Sequence, residues 1–95
     1  MDKQIILSFD KATSRLAGNP YGKAVYKEQL ADNLDFNKMN IVIFPDSIER
    51  VASSFTQGMF EEIVQKLGYD GIENHIKIKA KNSELEKSIY EDLFY

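Results

Sequence analysis

The sequence predicts a small α/β domain with a single-layer sheet of three to five strands, mixed or mostly parallel, and three helices. Apolar, β-branched segments alternate along the chain with segments whose apolar residues recur every three to four positions, in the order β-α-β-α-β-α. Strands joined through helices favour parallel pairing with right-handed crossovers. The length of 95 residues fits one domain over residues 1–95.

The N-terminal third predicts one strand and one helix. Alternating apolar residues predict a strand over 4–9, and a polar loop follows it. Asn19 as a helix cap, with a proline next to it, predicts a helix that continues to about Ala31. Gly22 in the first turn is a weak point, because glycine costs about 1 kcal/mol relative to alanine inside a helix.

The middle of the chain predicts a central strand and the loop that leaves it. Residues 39–44 are nearly all apolar without alternation, which is typical of a strand covered on both faces, or on one face with an extended edge. Pro45 ends this strand. Ile48 and Val51 are expected to form a short extended piece that pins the loop to the core.

The next segment predicts the most regular helix of the chain. Ser54 followed by Gln57 matches a capping box, with Ser54 as the cap. Apolar residues then recur at helical spacing to Leu67, and Gly68 fits a C-terminal cap.

The C-terminal part predicts the last strand and the last helix. Alternation over 72–80 predicts a strand that buries one face and places a basic strip on the other, formed by His75, Lys77, Lys79 and Lys81. Ser83 and Glu86 match a second capping box, which predicts a helix after it. The apolar residues 93–95 are expected to fold back on the core or to join a homodimer contact.

Composition excludes several classes of function. The chain has no cysteine, which rules out disulfide scaffolds, thiolate zinc sites and cysteine nucleophiles. A single histidine, His75, leaves little for metal or acid–base chemistry. The net charge of −3 argues against a protein that coats nucleic acid, although a local basic patch is compatible with it. No apolar run approaches the roughly 20 residues of a membrane span, and the N-terminus has no signal-peptide layout, so a cytoplasmic protein is expected.

Several segments together resemble a known family. These are the element order, the strand Asn40–Phe44, the segment Ala52–Gly68, and Thr13–Ala17, which is similar to the family's Ser-Arg element before its first helix. The resemblance, from about residue 5 to residue 90, is to the STAS-like family of small bacterial and phage proteins, often found with sensor-kinase-type ATPases. It implies a non-enzymatic regulatory module that binds a protein partner such as a kinase-type ATPase.

The resemblance also implies a modification site. STAS domains of anti-sigma-factor antagonists carry a phosphorylatable serine at the start of the helix after a central strand, and that position falls on Ser53 or Ser54 here. The sequence departs from the antagonist pattern, since Ala52 replaces the acidic residue before the serines and Phe55 replaces the glycine after them.

The strand-to-helix junction is the main candidate site. Hydroxyls and backbone N–H groups at a helix N-terminus stabilise a phosphate or another anion, which points to Ser53 and Ser54, although helix capping is the simpler interpretation. Loops at the carboxyl ends of parallel strands converge on one edge of the sheet, so Arg15 is expected to lie near Ser53 and to hold an anion with its guanidinium.

Polar residues around the junction are candidates for binding a partner. They are Asp46, Glu49, Arg50 and Gln57, with internal ion pairing or simple solvation as the alternative for the loop residues.

These features lead to one preferred function and two alternatives. The preferred function is a regulatory module that binds a protein through the loop 45–54 and the helix after it, with a serine switch. The alternatives are a sensor of a small ligand or nucleotide and a phage or mobile-element inhibitor of a host protein. No nucleophile–base pair, paired catalytic carboxylates or metal-ligand cluster emerges, so we expect neither an enzyme nor a cofactor.

Overall fold

The structure, a computed structural model, describes residues 2–94. Within that range the elements are, in chain order, β1 (Lys3–Ile6), β2 (Arg15–Leu16), α1 (Asn19–Val25), β3 (Asn40–Ile43), β4 (Arg50–Val51), α2 (Ser53–His75), β5 (Ile76–Lys79) and α3 (Ser83–Phe94). A π-helical segment, Tyr26–Leu30, continues α1. No helix in this range combines the length and the apolar character needed to cross a membrane.

The strands form two parallel units. β1, β3 and β5 form a three-stranded sheet in that order, and β2 pairs with β4 in a separate two-stranded ribbon. Both crossovers of the three-stranded sheet step in the same direction, so right-handed connections place α1 and α2 on the same face. The α/β class, the parallel sheet and the three helices are as the sequence predicts.

The hydrophobic core lies between the sheet and the helices. Alternate strand residues point into it, including Ile5, Val42 and Ile78, while their neighbours Ile6 and Lys77 are exposed. The helices contribute several of the largest fully buried side chains, among them Phe55, Phe60, Met59, Ile63 and Ile89. The alternation of the first and last strands therefore predicted correctly which side chains are buried.

The helices α1 and α2 approach each other closely at two glycines. A Cβ atom on Gly22 would overlap the carbonyl oxygen of Phe55 and lie 2.8 Å from the backbone nitrogen of Met59. A Cβ atom on Gly58 would overlap the carbonyl oxygen of Asn19. Gly22, a weak point by helix propensity alone, is therefore required by packing.

The start of α2 differs from the prediction. The helix begins at Ser53 with Ala52 as its N-cap, and no side chain caps it. The hydroxyl of Ser54 instead accepts a hydrogen bond from the backbone N–H of Gly18 at 3.0 Å, and Gln57 is exposed. The predicted capping box is wrong because a neighbouring loop, which the local pattern does not show, uses the serine oxygen.

The caps of the other two helices are also shifted. Gly18, not Asn19, is the N-cap of α1, and its φ of 95° lies in the region that favours glycine. At α3 the side chain of Asn82, not that of Ser83, accepts a hydrogen bond from the backbone N–H of Leu85 at 2.8 Å. In both cases the cap is the residue before the predicted one.

Gly68, the predicted C-terminal cap, ends the first helical run of α2, and a second run follows it. Its φ of 71° and ψ of 173° are not helical, but the chain returns to helix over residues 69–75. The predicted strand over 72–80 is thus wrong before Ile76. Ile72 and Ile76 are four positions apart, a spacing that fits one face of a helix, and Ile72 is fully buried in the core.

The last strand keeps its predicted faces, but two members of the predicted basic strip lie outside it. Lys81 follows the strand in a bend and pairs with Glu49. Lys77 and Lys79 are exposed opposite the buried isoleucines. His75 lies at the end of α2, where its Nδ1 is 2.7 Å from the carbonyl oxygen of Gly71, so it is not part of a basic strip on the strand.

The helix α3 covers the outer edge of β5. The backbone N–H of Ile78 donates to the hydroxyl of Tyr90 at 2.7 Å, and the N–H of Ala80 donates to Glu86. These contacts occupy edge groups that would otherwise pair with another chain. Leu93 is buried and Phe94 packs against the core, as expected if the C-terminus folds back, and Tyr95 lies outside the described residues.

Asn40 joins three separate backbone segments at the start of the central strand. It is fully buried, and its Oδ1 accepts a hydrogen bond from the N–H of Asp35 at 2.9 Å. Its Nδ2 lies within 3.1 Å of the carbonyl oxygens of Asp35, Lys38 and His75. The side chain thereby fixes the loop before β3 to the end of α2.

The close contact at Gly22 predicts that Gly22→Ala lowers the free energy of unfolding, which is opposite to the effect expected from helix propensity. Helix propensity alone would raise the free energy of unfolding by about 1 kcal/mol. We expect a decrease of about 2 kcal/mol, because the added methyl group overlaps the backbone of α2. Chemical denaturation measures this change, with Ala24→Gly on the exposed side of α1 as the propensity control. An increase in stability for Gly22→Ala would contradict the packing.

The Asn40 network predicts a large effect of an isosteric change. Asn40→Asp replaces the Nδ2 donor by an oxygen that faces three carbonyl oxygens, and we expect a loss of about 3 kcal/mol in the free energy of unfolding. Asn37→Asp, at an exposed position nearby, is the control and should change it by less than about 0.5 kcal/mol. Equal effects of the two variants in denaturant unfolding would show that the Asn40 network adds nothing to stability.

Candidate functional site: a groove beside paired arginines

The loop after β1 and the loop after β3 lie side by side. The carbonyl oxygen of Ser14 accepts hydrogen bonds from the N–H groups of Glu49 at 2.7 Å and Arg50 at 3.2 Å. The carbonyl oxygen of Leu16 accepts one from Ala52 at 2.8 Å. Together with the parallel pairing of β2 and β4, these bonds join the two loops, which the sequence predicted would converge.

This ribbon sets Arg15 directly beside Arg50. The two are partners in the parallel register, and so are Leu16 and Val51. Because successive side chains alternate between faces, Leu16 and Val51 point into the core while both arginines point out and are exposed. Ile48, which precedes the ribbon, is also buried, so the predicted extended piece does pin the loop to the core.

The arginines border a groove between the ribbon and α3. We call it the arginine groove, and its volume is about 520 Å³. It is lined by Arg15, Leu16, Ala17, Glu49, Arg50, Val51, Ala52, Asn82, Glu84, Leu85 and Ser88. The groove thus lies at the carboxyl edge of the strands, where three successive loops meet.

The charges in the groove leave the two guanidiniums available. Glu49 forms an ion pair with Lys81 at 3.7 Å. Within residues 2–94 no carboxylate oxygen lies within 4.0 Å of a side-chain nitrogen of Arg15 or Arg50. Two cations on neighbouring strands repel each other, and an anion between them relieves that repulsion. The arrangement can therefore bind a carboxylate or phosphate group.

The two serines lie at the start of α2 but do not line the groove. Ser53 is exposed, and it follows Ala52, which does line the groove. Ser54 is half-buried, and its hydroxyl oxygen accepts the bond from Gly18. The groove therefore contains Arg15 and Arg50, and neither serine is among the residues that line it.

The other predicted partner residues fall in different places. Glu49 and Arg50 line the groove. Asp46 is exposed in the turn that follows β3, and Gln57 faces a separate depression that also contains Asn19 and Tyr69. Only part of the predicted set is thus brought together.

The contribution of α3 to the groove was missed from the sequence. Asn82, Glu84 and Ser88 form one wall. The same convergence argument that links the first two loops also applies to the loop after β5, so the topology contained a signal for Asn82. Glu84 and Ser88 lie four residues apart on α3, which places them on one face of that helix.

Two titratable groups with shifted pKa values lie outside the groove. Burial raises the pKa of Tyr26, and the nearby carboxylate of Glu62 raises it further. Burial also raises the pKa of Asp92, with a smaller contribution from Glu91. In the part of the chain that the structure describes, no group of three or more His, Cys, Asp or Glu residues could hold a metal ion.

Comparisons with family models, with curated proteins and with solved structures found no match to this chain.

The loop contact made by Ser54 predicts different effects for the two serines. Ser54→Ala removes the acceptor for the N–H of Gly18, and we expect a loss of about 1 kcal/mol in the free energy of unfolding. Ser53→Ala, at the exposed neighbour, should change it by less than about 0.5 kcal/mol. Urea unfolding of both variants checks the difference. A larger loss for Ser53→Ala would mean that Ser53 caps the helix and Ser54 does not hold the loop.

Proposed function

We propose that this protein is a non-enzymatic regulatory module that binds an acidic segment of a protein partner in the arginine groove. The observation that carries the proposal is the placement of Arg15 beside Arg50 with no carboxylate within ion-pairing distance in residues 2–94. Guanidinium groups bind carboxylates in a bidentate manner, so two adjacent ones favour a segment with neighbouring acidic side chains.

The lining of the groove favours a protein partner over a small ligand. Sites for small molecules are mostly apolar and aromatic, with a few polar groups. Among residues 2–94 no aromatic side chain lines the arginine groove, and its larger apolar residues are Leu16, Val51 and Leu85. An extended acidic peptide makes use of such a polar surface without needing to be enclosed.

The proposed surface differs from the one expected from the sequence. Most of the first half of α2 is buried, and α2 packs against both α1 and α3. We therefore assign partner binding to the loop 45–54 together with the start of α3. The resemblance to STAS-like domains supports regulation by protein binding and a kinase-type ATPase as the class of partner, both as parts of this proposal.

Within this proposal the serine switch belongs to Ser53. Its hydroxyl is on an exposed residue, whereas phosphorylation of Ser54 would break the contact with Gly18. A phosphate on Ser53 adds about −1.5 to −2 charges next to Ala52 in the groove wall. Modification would thus weaken the binding of an acidic partner.

Peptide binding tests the proposed function. We expect a fluorescently labelled oligoglutamate peptide to bind the native protein, and Arg15→Ala with Arg50→Ala to weaken binding at least about tenfold, since each lost charge-assisted bond is worth more than 1.4 kcal/mol. The matched control is Lys27→Ala with Lys66→Ala, which removes the same charge from exposed helical positions. Fluorescence anisotropy measures both dissociation constants. An equal loss of affinity in the control would show that the effect comes from net charge and not from the arginine groove.

A further inference from the structure

In the part of the chain that the structure describes, one face of the three-stranded sheet carries no helix. We call it the open face, and it consists of Gln4, Ile6, Ile41, Ile43, Lys77 and Lys79. The parallel register arranges these side chains in two rows, Gln4–Ile41–Lys77 and Ile6–Ile43–Lys79. The alternate residues of the same strands point to the opposite face, where the helices and the core lie.

Packing in the core does not explain why the open face carries three isoleucines. Parallel sheets normally have both faces covered, because crossover helices pack on each side. Here Ile6 is 69% exposed, and Ile41 and Ile43 on the central strand are only partly buried. An apolar centre on a face without a cover indicates a surface that another element occupies.

Both charged side chains of the two rows are lysines, and Lys77 also borders a cavity lined by Glu73, Glu86 and Glu91. Lys77 and Lys79 flank the isoleucines on the β5 side, and neither row contains an acidic residue. A second copy placed face to face with β5 over β5 would bring together the lysine pairs of both copies, and one turned to set β5 over β1 would place the lysines over Gln4 and Ile6. Neither arrangement gives the lysines an acidic partner from the rows. An occupant with acidic side chains over β5 is complementary to the face.

The dimensions of the face fit one helix. Strands lie about 4.8 Å apart, so β1 and β5 are separated by about 10 Å. That distance matches the diameter of an α-helix with its side chains, about 10–12 Å. The apolar stripe of such a helix covers Ile41 and Ile43, and the residues beside the stripe reach Lys77 and Lys79.

We infer that the open face is a second docking surface, and that its occupant is one acidic amphipathic helix of a partner protein. This surface is separate from the arginine groove, since the two share no lining residue. The protein would then join two acidic elements, an extended segment at the carboxyl edge of the sheet and a helix on its open face.

Isoleucine-methyl NMR with a designed peptide tests the inference. The probe is a synthetic helical peptide with leucines along one stripe and glutamates elsewhere, and the comparison peptide has lysine in place of each glutamate. We expect the acidic peptide to shift the methyl signals of Ile6, Ile41 and Ile43 on one binding curve. The lysine peptide should leave them unchanged. No shift with either peptide, or equal shifts with both, would overturn the inference.

Two pairs of substitutions separate this surface from general charge effects. Lys77→Glu with Lys79→Glu should weaken binding of the acidic peptide at least about tenfold, because two attractive charges become two repulsive ones. Lys27→Glu with Lys66→Glu makes the same charge change on helix surfaces and should leave binding within about twofold. Equal weakening by both pairs would overturn the inference.

A third variant separates this inference from the proposed function. Arg15→Ala with Arg50→Ala should leave the methyl shifts and the affinity for the amphipathic peptide unchanged, even though it weakens oligoglutamate binding. If this variant abolishes the methyl shifts, the peptide binds at the groove and the open face has no role. Sedimentation of the native protein completes the test. If the native protein forms dimers and Ile43→Lys disperses them, the occupant of the open face is a second copy of the chain, and the inference is overturned.

Discussion

The close contact of α1 and α2 at Gly22 and Gly58 is the constraint on which the rest of the structure depends. Because neither glycine has a side chain, the backbones of the two helices can touch near their N-termini. The loops that enter these helices are therefore brought within hydrogen-bonding distance. The N–H of Gly18 then reaches Ser54, and the short strands β2 and β4 pair. A packing requirement in the core thus decides the position of a surface ribbon.

The ribbon in turn determines where the two arginine side chains lie. Parallel pairing buries Leu16 with Val51 and leaves Arg15 beside Arg50 on the outside, so the position of the guanidiniums follows from the register. Two adjacent cations lower stability slightly when they have no counterion, and the same repulsion favours an anionic ligand. The sheet itself offers a different chemistry, with isoleucines and lysines on a face that no helix covers within residues 2–94. In our two proposals both surfaces bind acidic partners, although the chain itself carries a net charge of −3.

Much of the fold follows from local patterns in the sequence, and the errors have a common cause. Alternation in β1 and the helical spacing in α2 reflect which residues meet the core, so they predicted element types correctly, and the apolar, β-branched run of β3 predicted a strand. The predicted cap of α2 was wrong because Ser54 bonds to a loop 36 residues away in the sequence. The helix over 69–75 was missed because Ile72 and Ile76 fit either a strand or a helix. The placement of Arg50 beside Arg15 was not predicted, because it depends on the register between two strands that are far apart in the sequence.

The pairing of Arg15 with Arg50 into one anion site is the central claim, and arginine side-chain NMR examines it most directly. The Nε–H signals of both residues can be followed in the native protein while oligoglutamate is added. We expect the two signals to shift together on one binding curve, because a single ligand contacts both guanidiniums. Separate curves, or shifts of other signals while these two stay unchanged, would show that the arginines do not act as one site.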